Sequence, residues 1–229
     1  MTAIAPIALD HVALWVADRD AIAALLCRHL GMHEIERTDS FTLVGADARR
    51  GKLTLFAAEG PREPGVLERV VLRVNDLDAA LAALPDGLAV RRSGEVAEFA
   101  GPEGLGLGLV GAETDLDYDL DHVVLRVPDP GATATALDEF GFERRDGRVA
   151  VADKHLRLQQ GGAAEGERPL LNHLAVLVDS ARSVEEAARA RGIEIDDIKD
   201  APNTLAVFLR GPDRIRIEYV EHKPTFSLV

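Results

Sequence analysis

A chain of 229 residues accommodates one large domain or two of about 100 residues each. With 47% hydrophobic residues it has the apolar mass for a true core, and a formal charge of -13 leaves no basic face for nucleic acid. Its one cysteine, Cys27, excludes an internal disulfide and fits a reducing compartment.

The opening MTAIAPIALD lacks the basic start and apolar run of a signal peptide, and no stretch approaches the ~20 apolar residues of a bilayer span. A cytoplasmic protein without membrane partners is therefore expected. Along the chain one phrase then recurs: LDHVALWVAD from Leu9, LERVVLRVND from Leu67, LDHVVLRVPD from Leu120 and LNHLAVLVDS from Leu171. Each alternates like a strand. After each, the periodicity turns helical behind a suitable N-cap: Asp18, Asp76, Asp129 and Ser180. Gly31, Gly141 and Gly192 end the first, third and fourth helices.

Short strand-like pieces separated by turn residues follow each helix, as in GIEIDDI, NTLAVFLRG and DRIRIEYVEH of the last unit. Each unit thus reads strand, helix and about three strands. The class is α+β: four βαβββ modules paired into two cupped mixed-sheet domains, with helices on their outer faces. The acidic stretch at 111–119 is the expected seam, giving domains at 1–114 and 115–229. A Gly-rich loop at 161–169 joins units three and four.

Alternation puts Val123, Leu125 and Val127 on the core face of the third phrase and His122, Val124 and Arg126 on the other. In RIRIEYV, Glu218 shares a face with Arg214 and Arg216. His155, Arg157 and Gln159 alternate along KHLRLQQ. Faces carrying such groups line cavities rather than cores. The same alternation turns Asp121 and Asn172 away from the cup. His29 and His33 flank a helix end, where a solvated imidazole is ordinary, and His222 falls in the tail.

The repeat, its DHV openings and the closing RGPDRIRIEYV resemble the vicinal oxygen chelate superfamily, which includes glyoxalase I, bleomycin-resistance proteins and extradiol dioxygenases. The resemblance covers residues 8–221. It implies one divalent metal held by first-strand and last-strand residues of paired modules. The first-strand position falls on His11, Arg69, His122 and His173, and the last-strand acid on Gly108 in unit two and Glu218 in unit four. Pairing the last two units gives the ligand set His122, His173 and Glu218, a two-imidazole, one-carboxylate triad suited to Fe(II), with Mn, Ni, Zn or Co as alternatives. His11 lacks partners in such a pair and becomes a structural histidine, so the first domain holds no metal.

A metal-dependent dioxygenase is implied, acting on an aromatic diol or enediol-like small molecule with dioxygen. His155 is the candidate acid/base, and Arg157, Gln159, Phe208 and Arg216 are candidates for substrate contact. Phe208 stands ten residues before Glu218, where two-domain extradiol enzymes carry Tyr, and no His lies between His173 and Glu218. The alternatives are a glyoxalase-type lyase or isomerase, with Gln159 as fourth ligand, and a non-catalytic binder whose three donors lie too far apart to share an ion. Oligomeric state is open, a homo-oligomer included.

Overall fold

The computed structural model describes residues 4–161 and 168–229, so most of the 161–169 loop lies outside the described residues. Module one comprises β1 (Ala8–Val16), α1 (Arg19–His29), β2 (His33–Arg37), β3 (Phe41–Gly45) and β4 (Lys52–Ala57). Module two comprises β5 (Leu67–Val74), α2 (Leu77–Ala82), β6 (Arg91–Ser93), β7 (Val96–Ala100) and β8 (Gly106–Gly111). Module three has β9 (Asp119–Val127), α3 (Pro130–Leu137), β10 (Glu143–Arg145), β11 (Arg148–Val151) and β12 (Lys154–Gln160). Module four has β13 (Leu171–Leu177), α4 (Ala181–Arg191), β14 (Ile195–Asp200), β15 (Thr204–Arg210) and β16 (Arg216–His222).

The four expected caps accept hydrogen bonds from the backbone N–H groups of their first turns: Asp18 from Ala21, Asp76 from Ala79, Asp129 from Gly131 and Ala132, and Ser180 from Ser183. Two eight-stranded mixed sheets result. The first runs β14-β15-β16-β13-β1-β4-β3-β2 and the second β10-β11-β12-β9-β5-β8-β7-β6.

This order corrects the expected division at 114/115. Module one pairs with module four through antiparallel β1 and β13, and module two with module three through β5 and β9. The short 112–118 connector folds β9 back beside β5, the easy route for consecutive elements. Modules one and four must then meet each other. The two crossings between sheets lie side by side: Glu63 donates its N–H to the Arg168 carbonyl at 3.1 Å, and its own carbonyl accepts from Leu170 at 2.6 Å.

The backs of both sheets and the four helices share one apolar cluster, reaching from Val12 and Leu14 to Val123 and Leu125. Each sheet's opposite face is a cup, and every cup-lining first strand carries a β-bulge. Register shifts skip Asp10 between Leu9 and His11, Glu68 between Leu67 and Arg69, Asp121 between Leu120 and His122, and Asn172 between Leu171 and His173. In each case the skipped residue immediately precedes the first-strand cup position. A bulge adds a residue and re-aims its neighbours, so simple alternation fails there. Asp121 and Asn172 therefore bond to the histidines beside them instead of turning away.

Candidate metal centre

In the first cup three donors converge. Glu218 Oε2 lies 2.7 Å from His173 Nε2 and 3.3 Å from His11 Nε2, and the two imidazole nitrogens are 3.1 Å apart. Two central strands and β16 position them, since Ala175, two residues beyond His173, pairs with Glu218. Donors about 2.1 Å from an octahedral ion sit about 3.0 Å apart in cis positions, against about 3.4 Å around a tetrahedral one. The observed spacings match one face of an octahedron.

The outer nitrogens are committed elsewhere. His11 Nδ1 lies 2.7 Å from Asp10 Oδ1, and His173 Nδ1 lies 2.9 Å from Asn172 Oδ1. Donation from Nδ1–H to these oxygens leaves each Nε2 lone pair facing the carboxylate, an arrangement that calls for a cation. In the metal-free protein a proton serves. Burial alone would lower the His11 pKa, but its hydrogen bonds to Asp10 and Glu218 outweigh that and raise it to about 9. Burial pulls His173 down and keeps it neutral. Burial works against ionised Glu218 too, yet the two imidazoles hold its carboxyl well below the usual range. Asp10 is buried with Lys52 Nζ at 2.9 Å and His222 Nε2 at 3.1 Å, and these partners with His11 overcome the burial penalty and keep it ionised.

The cavity above the donors measures about 450 Å³ and is walled by Phe41, Phe56, Phe208 and Phe226, with His222 at its edge. Phe208 packs edge-on against His173, with ring centroids 5.2 Å apart. Thr54, the register partner of Ala13, occupies in module one the place Glu218 holds in module four.

Of the expected ligands, His173 and Glu218 come together as read from the sequence. His122 does not join them. It lies in the second sheet, and His11 takes its place because module four pairs with module one. His155, Arg157 and Gln159 belong to β12 of that second sheet and contribute nothing to the first cup. Phe208 lines the cavity as expected. Arg216 stands behind the wall, its guanidinium 4.0 Å over the Phe208 ring, and bonds Asp196 and the Asn172 side chain. His33 reaches the Val229 carbonyl and His29 the Ala83 carbonyl, both outside the cup.

Sequence reading missed His11, Asp10, Lys52 and His222. A usable signal was present: DHVALWV and NHLAVLV share Ala two residues after His, whereas ERVVLRV and DHVVLRV share Val there and the ending VLRV. That difference sorts module one with four and module two with three.

Paired βαβββ modules that bring two imidazoles and a carboxylate together inside a cup are the arrangement that the resemblance to the vicinal oxygen chelate superfamily implies. A sequence model of the Glyoxalase/Bleomycin resistance protein/Dioxygenase superfamily matches residues 8–110 and bears out that resemblance. No curated protein matches the chain by sequence. Among solved structures it is similar to a candidate dioxygenase from Bacillus subtilis, at 17% identity and TM-score 0.80, covering 98% of this chain and 88% of that one. Glyoxalase I from Zea mays matches at 17% identity and TM-score 0.70, over 93% and 92% of the two chains. The cppA protein from Streptococcus pneumoniae TIGR4 matches at 16% and 0.61, over 94% and 98%. At these identities the likeness shows the fold. No helix among the described residues is long and apolar enough to cross a membrane.

Proposed function

We propose that the chain is a metal-dependent dioxygenase acting on an aromatic diol, or an enediol-like compound, held through its vicinal oxygens at the His11, His173 and Glu218 centre. The observation that carries this reading is Thr54 at the fourth-ligand place. A neutral hydroxyl is a poor substitute for a carboxylate, so the protein supplies three ligands on one face. A divalent ion held by these residues would keep positions open for the diol oxygens and a further small ligand. Fe(II) fits this donor set best, and such an ion supplies Lewis acidity to the diol and a site for dioxygen.

The chain's own residues do the remaining work. Asp10 and Asn172 fix the orientation of the two imidazoles. Phe41, Phe56, Phe208 and Phe226 give a planar ring apolar walls and keep bulk water from the donors. His222, four residues beyond Glu218 on the same face of β16 and at the cavity edge, replaces His155 as the candidate proton carrier. Its ring stacks on Phe226 at 4.4 Å, and its Nε2 contact with Asp10 orients it.

A glyoxalase-type lyase normally draws on a fourth protein ligand. Gln159, the expected source, lies in the other sheet, and Thr54 stands in the place itself. The binder reading expects scattered donors, whereas those of the first cup converge.

The test is metal analysis of protein purified without chelators, followed by oxygen uptake on catechols and hydroquinones. We expect bound iron and diol-dependent uptake, with both abolished in His173→Ala while the metal-free variant melts near the native temperature. Iron without uptake on any diol overturns the dioxygenase assignment. Unfolding of His173→Ala by itself marks the residue as structural.

A further inference from the structure

The second cup contains histidines that the first centre does not use. His122 is only 5% exposed, and its Nδ1 lies 2.5 Å from Asp121 Oδ1, repeating the Asp10–His11 arrangement. Donation from Nδ1–H leaves a lone pair on Nε2. That nitrogen is buried and has no hydrogen-bond partner among the described residues. A buried acceptor left unmatched is costly in any fold, so its presence calls for a ligand.

His155 is the direct register partner of His122 across parallel β9 and β12. Their rings stack 4.6 Å apart at 14°, close to the strand spacing. For both nitrogens to face one ion, the His155 ring turns out of this stack about its side-chain bonds, while the buried His122 stays in place. Donor atoms of Asp121, His122 and His155 all lie within 4.8 Å of one another. The cavity beside them, about 490 Å³, carries three carboxylates (Glu95, Asp121 and Asp146) against the guanidiniums of Arg148 and Arg157. Arg73 joins them by its ion pairs with Asp121 and Asp153, so four carboxylates face three guanidiniums around the two imidazoles.

We infer that His122 and His155 hold a second divalent ion of the zinc class, with Asp121 orienting His122 and with water or a small exogenous ligand completing the sphere. This set differs from that of the first centre, because Arg157 stands where Glu218 stands there. The ion would tie β12 to β9 and satisfy the orphan nitrogen. The inference is independent of the diol reading.

The experiment uses the full chain, stripped with a chelator and dialysed against excess Zn²⁺, with zinc counted per chain. We expect two ions in the native protein, one in His155→Phe, one in His173→Ala and none in the double variant. Phenylalanine preserves the stacked ring while removing the donor, so the metal-free melting temperature of His155→Phe should equal the native one. Asp121→Asn should weaken the second ion by about 10–100-fold, the usual cost of losing an orienting carboxylate. One ion removed by His155→Phe but untouched by His173→Ala supports the second site and counts against the first centre. A native count of one ion that His173→Ala abolishes, or a second ion that survives His155→Phe, overturns the inference.

Discussion

The two cups share one scaffold and differ in the side chains of their floor, rim and first-strand positions. On the floor, two residues beyond each first-strand position, the first cup has Ala13 and Ala175, and the second has Val71 and Val124. At the rim, Thr54 and Glu218 are matched by Gly108 and Arg157. A Cβ on Gly108 would come within 2.8 Å of Val96, and Val96 packs with Val71 and Val124 to plug that half of the cup. Arg69, in the place of a histidine, is drawn to Glu98 at 3.0 Å. Small floor residues and one buried acid make a site. Valines and an ion pair turn the module-two half of the second cup into packing.

The largest break in this comparison should come from the carboxylates that precede the histidines. Asp10 is fully buried and answers three cationic or hydrogen-bonding groups, whereas Asp121 is partly exposed and shares Arg73 with Asp153. Asp10→Asn leaves Lys52 without its counter-charge, so we expect a loss of about 3–5 kcal/mol, as for other half-broken buried pairs. Metal affinity at the first centre should fall by about 10–100-fold. Asp121→Asn should cost far less stability and leave the first centre unchanged. Urea unfolding of both variants without metal, followed by metal titration, reads the contrast. Equal destabilisation would mean that the two carboxylates have equivalent surroundings.

Much of this asymmetry was legible in the residues, and some was not. The repeat, the four caps and the strand–helix–strand order are local, set by periodicity and by Asp or Ser at helix starts. His173 and Glu218 share module four and its parallel β13–β16 pairing, so their meeting follows from one unit's own pattern. His11 joins them across 162 residues, and only the choice of module partner decides whether it or His122 completes the triad. That choice rests on the short 112–118 connector and on Ala against Val in the cup floor, a difference of two methyl groups. Asp10 and Asn172 were hidden by the bulges, because a period of two cannot register an inserted residue.

The pH dependence separates the cups more gently. His11 titrates near 9 in the folded metal-free protein, above its ordinary value of 6.5. A raised folded pKa stabilises below the unfolded value, so this contribution, on the order of 3 kcal/mol, is complete below about pH 6.5 and lost as pH rises through 9. Metal displaces that proton. Apparent affinity at the first centre should therefore climb from pH 6.5 to 9, and metal-induced thermal stabilisation should grow across the same window. In the second cup His155 is already uncharged above about pH 4, so its proton offers no competition there. Melting curves of His155→Phe with and without metal isolate the first centre, and a flat response would mean that His11 carries no proton before metal enters.

The smallest change is Ala13→Val, which copies into the first cup the floor residue found at Val71. Ala13 is fully buried and lies in register between His173 on one side and Thr54 on the other. Two added methyl groups in a packed site cost about 1–3 kcal/mol when nothing can move. Ala13 is fully covered, so a loss within that range is expected, with the fold intact. Diol-dependent uptake should fall far more than stability, because the methyls occupy space beside the donors. Titration with Fe(II) or Zn²⁺ then divides the two causes of the asymmetry. Weakened metal binding in Ala13→Val means floor volume alone can close a cup. Native affinity with lost turnover means that the floor alanines are there for the substrate and not for the ion.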